Sequence, residues 1–209
     1  SSDERVAGID APTFKEGGVD VSIQNWRMVA AAPGISAEQK AAFETAYAKI
    51  SATGPKILLA TYFDTIGDNL DLVTRLPVDG LHVDLVRAPD QLDAVLKVWP
   101  ADRILSLGVI DGRNVWRADL DKACAKIEAA VAVRGRDGLQ IAPSCSLLHT
   151  PVDLASEEKL DAELKSWLAY ARQKLVEVAA LKAAVTQCRG AASEAFAESS
   201  AAVASRASS

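Results

Sequence analysis

The sequence predicts an α/β fold, part of a (βα)8 barrel of the TIM type, with about four strand–helix units and a long C-terminal helix. Two observations carry the prediction. Short apolar runs of strand length alternate with amphipathic helical stretches from Lys56 onward, and those runs are apolar throughout, as strands covered on both faces are. Length sets the bound. The chain has 209 residues, enough for one domain with a substantial core, and four units amount to about half of a barrel that typically takes roughly 250 residues.

Residues 1–35 carry no sustained period. Gly17-Gly18, Pro12 and Pro33-Gly34 interrupt them, leaving at most a short strand near Val19–Ile23. Ser36 followed by Gln39 is a capping-box pattern, and Phe43, Ala46, Tyr47 and Ile50 then fall on one helical face before the Thr53-Gly54-Pro55 breaker. The first strand is expected over Lys56–Phe63. A helix capped by Asp68-Asn69 follows, with Leu72, Val73 and Leu76 turned inward. Gly80–Val86 is the second strand, and Pro89 opens a helix that turns Leu92, Val95, Leu96 and Trp99 inward. Arg103–Ile110 is the third strand, with a helix over Asp119–Val133 behind it. Leu139–Pro143 is the fourth, followed by a long loop. Glu158–Val185 reads as one long helix with a stripe of Leu160, Leu164, Trp167, Leu168, Ala171 and Leu175. The Ala/Ser-rich tail, residues 189–209, is expected to be disordered. The division is thus 1–35, 36–188 and 189–209.

Consecutive strands joined through helices require a parallel sheet with right-handed crossovers. A doubly wound open sheet is the competing architecture, but the first strand–helix turn lacks a Gly-rich phosphate loop. A free-standing half barrel would leave two parallel edges open, so the other half is expected from elsewhere.

Composition removes several classes of function. A net charge of -5 argues against a nucleic-acid partner, since there is little cationic surface to release counterions. Cys124, Cys145 and Cys188 are far apart and form no C-x-x-C pair, which excludes a disulfide framework or a zinc ribbon and suits a reducing, cytoplasmic setting. No run of 18 apolar residues suggests a membrane span, and the N-terminus lacks the pattern of a secretory signal. The first residue is Ser rather than Met, which fits a native start lying upstream.

Three strings in the alternating region are specific: Leu59–Leu70 (LATYFDTIGDNL), Leu107–Leu120 (LGVIDGRNVWRADL) and Ser144–Leu154 (SCSLLHTPVDL). Gly80–Pro89 (GLHVDLVRAP) and Leu160–Lys174 (LDAELKSWLAYARQK) accompany them. Together they resemble the cobalamin-independent methionine synthase family, in the later half of its N-terminal barrel, from about Ser36 to Val185. The resemblance implies a parent enzyme of two face-to-face (βα)8 barrels. That enzyme moves a methyl group from a polyglutamylated 5-methyltetrahydrofolate to homocysteine, with zinc activating the thiol. It further implies that the His, Cys, Glu and Cys zinc ligands lie in a C-terminal barrel outside this chain, and that the folate-contacting lysines lie outside the matched region. Carried over residue by residue, the resemblance assigns no catalytic, cofactor-binding or metal residue here. The implied partners are the missing barrel half and the catalytic barrel; folate and homocysteine enter only through the full enzyme. Ser22–Gly34 departs from the family pattern, because it lacks the usual Asp-Glu-Pro motif. The alternative is a non-catalytic binding or interaction module derived from the same barrel.

Three features carry chemistry in principle. Cys145 follows the fourth strand, at the end where barrel enzymes place their sites, but zinc needs three or four ligands and only His82, Asp84 and His149 are near candidates. An inert cysteine is therefore the preferred reading. His82 and Asp84 alternate on one strand and so share a face; a buried hydrogen-bond network is preferred over acid–base chemistry. In the Asp111–Arg117 loop, Arg113 suits a carboxylate and Trp116 suits a flat ring, but a loop locked against its own helix or a neighbouring barrel is the preferred reading.

Overall fold

The computed structural model describes residues 36–52 and 54–208, all within the compact unit Ile35–Ser209. The expectations for residues 1–35, including a strand near Val19–Ile23, lie outside the described residues. The first helix, α1, spans Ala37–Ser51 and begins as expected, with Ser36 and Gln39 exchanging side-chain and backbone bonds at 3.2 and 2.8 Å. Its apolar face is only half-buried at Phe43 and Tyr47, and Ile50 is exposed.

Four strands follow: β1 Leu58–Ala60, β2 Gly80–Asp84, β3 Ile104–Ile110 and β4 Leu139–Pro143. They form one parallel sheet in the order β1-β2-β3-β4. The order is sequential, without the reversal that creates the switch point of a doubly wound sheet. The fold is therefore the part-barrel α/β architecture. β1 is shorter than expected because pairing starts only at Leu58↔Gly80. Beyond Ala60 the chain leaves the ladder after one more bond, Thr61 N–H to the His82 carbonyl at 3.0 Å.

Between the strands run α2 (Leu70–Arg75), α3 (Gln91–Val98) and α4 (Leu120–Arg134). A short 3-10 turn, Gly67–Asn69, precedes α2, and Asn69 makes no side-chain cap. Pro89 stands just ahead of α3 rather than in its first turn. Asp119 caps α4 through the Lys122 N–H. Alternation along the strands sends Leu81, Val83, Leu85, Leu105, Leu107 and Val109 to one face, where they join Leu72, Val95, Leu120 and Ile127 in one apolar core. Truncating a fully buried member such as Leu85 to Ala costs about 2–5 kcal/mol. The opposite face carries His82, Asp84, Ser106 and Gly108, matched across the register as His82↔Ser106 and Asp84↔Gly108.

Two expectations are corrected. The helix expected over Glu158–Val185 is two helices, α5 (Ala162–Ser166) and α6 (Ala171–Thr186). The break arises because Trp167–Ala169 pairs with the loop after β3: the Arg117 N–H donates to the Trp167 carbonyl at 2.7 Å and the Ala169 N–H to the Val115 carbonyl at 2.8 Å. The tail expected to be disordered is also helical, as a 3-10 turn over Arg189–Ala192 and α7 over Ser193–Ala207. Phe196, Ser199 and Ala202, spaced i, i+3, i+6, bury one face. The Ser199 hydroxyl accepts from the Leu120 N–H at 3.0 Å and donates to the Ala118 carbonyl at 2.7 Å. Arg117 pairs with Glu198, and Arg189 with Asp121. Ala supplies helix propensity here, while the burial of Phe196 and the hydrogen bonds of Ser199 are tertiary contacts that composition does not reveal.

Candidate functional site

The carboxyl ends of the four strands gather the residues singled out from the sequence. A narrow sheet face makes this possible. At Gly108 a Cβ would fall 2.7 Å from the Val83 carbonyl oxygen and 2.8 Å from Ser144 Cα, so only glycine lets β4 and the His82 ring close in. Gly112 does the same in the loop above, where a Cβ would meet Cys145 Sγ at 2.9 Å.

His82 is buried and held at both ring nitrogens. Nδ1 lies 2.9 Å from Ser106 Oγ and Nε2 lies 3.2 Å from the Ser144 carbonyl oxygen. A carbonyl only accepts, so Nε2 carries the proton and the Ser106 hydroxyl donates to Nδ1. Burial pushes the imidazole below its ordinary range, against smaller opposing contributions from the Ser144 carbonyl and Asp84. Asp84 is fully buried, and both its oxygens are engaged. Oδ1 accepts the Val86 and Arg87 N–H groups at 2.9 Å each, and Oδ2 accepts the Phe63 N–H at 3.0 Å. That last bond fixes the loop after β1, where Phe63 adopts φ 74, a left-handed conformation unusual for a bulky residue.

Cys145 is buried beside Gly112, and burial is the largest influence raising its thiol above the ordinary range. A protonated thiol is a poor ligand and a poor nucleophile. Among the described residues no three of His, Cys, Asp and Glu stand close enough to hold a metal ion. His82 spends both nitrogens on protein partners, Asp84 spends both oxygens on N–H groups, and Cys145 is capped by the loop at Gly112. This donor set does not fit zinc.

The Asp111–Arg117 loop is tightly fixed. Asp111 accepts from the Arg113 N–H at 2.8 Å and from Asn114 Nδ2 at 2.9 Å, and Asn114 Oδ1 accepts the Trp116 N–H at 3.1 Å. The sequence reading missed the residue beneath it. Lys174 on α6 is fully buried and donates from Nζ to Asn114 Oδ1 at 3.2 Å and to the Trp116 carbonyl at 3.0 Å. Burial lowers its ammonium below the ordinary lysine range, and burial likewise raises the neighbouring Glu177, whose Oε1 accepts the Ala118 N–H at 2.9 Å. The available signal was positional: Lys174 lies seven residues after Trp167 and three after Ala171, on the stripe itself. Trp116 is partly exposed, and Arg206 from α7 covers its ring, 5.1 Å from the centroid. Arg113 instead reaches outward, 4.8 Å from the Phe63 centroid, and His149 meets the same ring edge-on at 5.8 Å.

Two comparisons bear on this arrangement. The family model described as the N-terminal domain of the cobalamin-independent synthase matches residues 18–134, beginning ahead of Ser36. A curated relative from Nitrobacter winogradskyi, named 5-methyltetrahydropteroyltriglutamate–homocysteine methyltransferase, is 53% identical over 163 residues. The aligned region makes up 77% of this chain and 21% of that relative.

Proposed function

The chain belongs to the cobalamin-independent methionine synthase family, in its N-terminal domain, and from that premise we propose that it serves as scaffold in a methyltransferase of methionine biosynthesis. In this reading the whole enzyme transfers the methyl group of 5-methyltetrahydrofolate polyglutamate to homocysteine. The thiol is activated by zinc whose ligands lie on a barrel beyond this chain. The present residues supply strands, helices and the loop face against which the remainder packs.

One observation carries the proposal: the chain spans about a fifth of its relative's length at 53% identity. The geometry supports the scaffold role. The titratable groups on the strand face, His82 and Asp84, are consumed by internal hydrogen bonds, and the Cys145 thiol is held protonated. Such groups stabilise the loops after the strands, and none of these three is poised as a base or nucleophile for transfer.

A chimaera tests this. The aligned 163 residues of the Nitrobacter relative are replaced by those of this chain, and methyl transfer from 5-methyltetrahydropteroyltriglutamate to homocysteine is assayed. The chimaera is expected to be active, and the chain alone inactive. A folded chimaera without activity, or methyl transfer by the chain alone, overturns the reading.

A further inference from the structure

The loop face holds an arginine whose binding capacity is unspent. Among neighbouring arginines, Arg117 bonds Glu198 at 2.5 Å and Arg172 bonds Asp153 at 2.5 Å, while Arg87 approaches Asp111 only to 4.0 Å, beyond hydrogen-bond reach. Among the described residues the Arg113 guanidinium donates no hydrogen bond and meets no carboxylate within 4 Å; it lies over the ring of Phe63 and its charge acts weakly on the Cys145 thiol. Its backbone, by contrast, is immobilised by Asp111 and, through Asn114 and Trp116, by the buried Lys174. A rigid loop thus presents five unused N–H donors in a planar fork.

A second, independent observation lies beneath that fork. Phe63 holds a left-handed backbone, φ 74, that costs on the order of 1–3 kcal/mol for a residue with a side chain and persists only because the surrounding structure enforces it. The enforcing group is the fully buried Asp84, through the Phe63 N–H. The result places an aromatic ring, 39% exposed, under Arg113 at the carboxyl end of the sheet, with His149 closing one side. The ring shields one face of the guanidinium from water, so a charge-assisted bond made at its free edge is stronger than one made by a fully hydrated arginine.

We propose that Arg113, backed by Phe63 and flanked by His149, is a recognition point for a carboxylate of a small-molecule ligand. A carboxylate matches the fork with two parallel N–H···O bonds, which a single lysine ammonium cannot reproduce. The inference goes beyond the scaffold reading, because it assigns the loop face a ligand contact that requires no methyl transfer.

The test is a titration of the 15N-labelled chain with glutarate, following the Arg113 Nε–H resonance and the amides of Phe63 and His149. A saturable shift of all three is expected. Arg113→Met is expected to abolish it, and Arg113→Lys to weaken binding at least tenfold, a figure on the order of one lost charge-assisted bond. Arg136→Met serves as a charge control: Arg136 is also exposed, in the turn before β4, and its loss is expected to leave binding unchanged. Absence of a saturable shift, persistence of the shift in Arg113→Met, or equal weakening in Arg136→Met overturns the proposal. Displacement of glutarate by inorganic phosphate at equal concentration overturns the assignment to a carboxylate. Because the readout is binding, its failure leaves the chimaera result untouched, and the reverse also holds.

Discussion

His82 shows how one buried residue couples stability to pH. Its ring is neutral in the fold, with Nε2 donating to the Ser144 carbonyl and Nδ1 accepting from Ser106, and burial depresses its proton affinity. In the unfolded chain the imidazole titrates near its ordinary value of about 6.5. Above that value neither state binds the proton and the bonds contribute in full. As pH falls below it, the unfolded state takes up a proton that the folded state refuses, and stability declines until the depressed folded value is passed. The maximal slope for one such group is about 1.4 kcal/mol per pH unit. Urea unfolding of the chain between pH 7.5 and 5.5 is expected to show this decline, and His82→Gln to flatten it within that window while lowering stability at pH 7.5. An equal slope in both proteins would assign the acid sensitivity to other groups. Much at this scale was legible in the sequence: alternation alone put His82 and Asp84 on one face and pointed to a hydrogen-bond network. Their partners were not legible, because Ser106, Ser144 and Phe63 come together only through the register of three strands and a left-handed turn.

At the scale of elements, α7 carries the clearest prediction. Phe196 is 4% exposed and joins the main core, and Ser199 bridges the Ala118 carbonyl and the Leu120 N–H at the start of α4. Phe196→Ala is expected to cost about 3–5 kcal/mol, the usual range for emptying a buried aromatic site. Ser199→Ala is expected to cost about 1–2 kcal/mol, because it strands a buried backbone donor and acceptor. Both are measured by denaturant midpoints, and a change below about 0.5 kcal/mol at Phe196 would mean that α7 is not part of the folded unit. The strands and inner helices were legible from period and length: β4 matches its expected bounds, and β2 and β3 differ only at their ends. The C-terminal helices were less so, for a physical reason. Leu175 extends the apolar stripe of α6 in sequence, yet it is 55% exposed, while Lys174 beside it is fully buried. The loop carbonyl of Trp116 and the side chain of Asn114 need a donor more than the core needs another leucine. Likewise the break at Trp167–Tyr170 follows from a bridge between Leu168 and Trp116, a contact across 52 residues that no local pattern reports.

For the whole molecule, the decisive feature is the pair of sheet edges. Among the described residues β1 and β4 each have one strand neighbour, and Leu58 on β1 is 39% exposed. Closure of an eight-stranded barrel removes such edges altogether, whereas four parallel strands keep two rows of unpaired N–H and C=O groups. The groove bordering β4 adds to the imbalance: a cavity of about 510 Å³ between α4, β4 and α6 is lined by Ile127, Val131, Ile141 and Val178. Surface of this kind belongs against further structure, as the scaffold reading requires. The chain by itself is therefore expected to self-associate at about 50 μM, a concentration at which exposed strand edges pair between molecules. Sedimentation velocity provides the measurement. Charge on an edge opposes pairing, so Leu58→Lys combined with Gln140→Lys is expected to shift the chain toward monomer while its far-ultraviolet circular dichroism stays unchanged. A chain that is already monomeric without these changes would show that its edges are protected by its own sequence. It would also favour the alternative of a self-sufficient module over a scaffold completed by a larger enzyme.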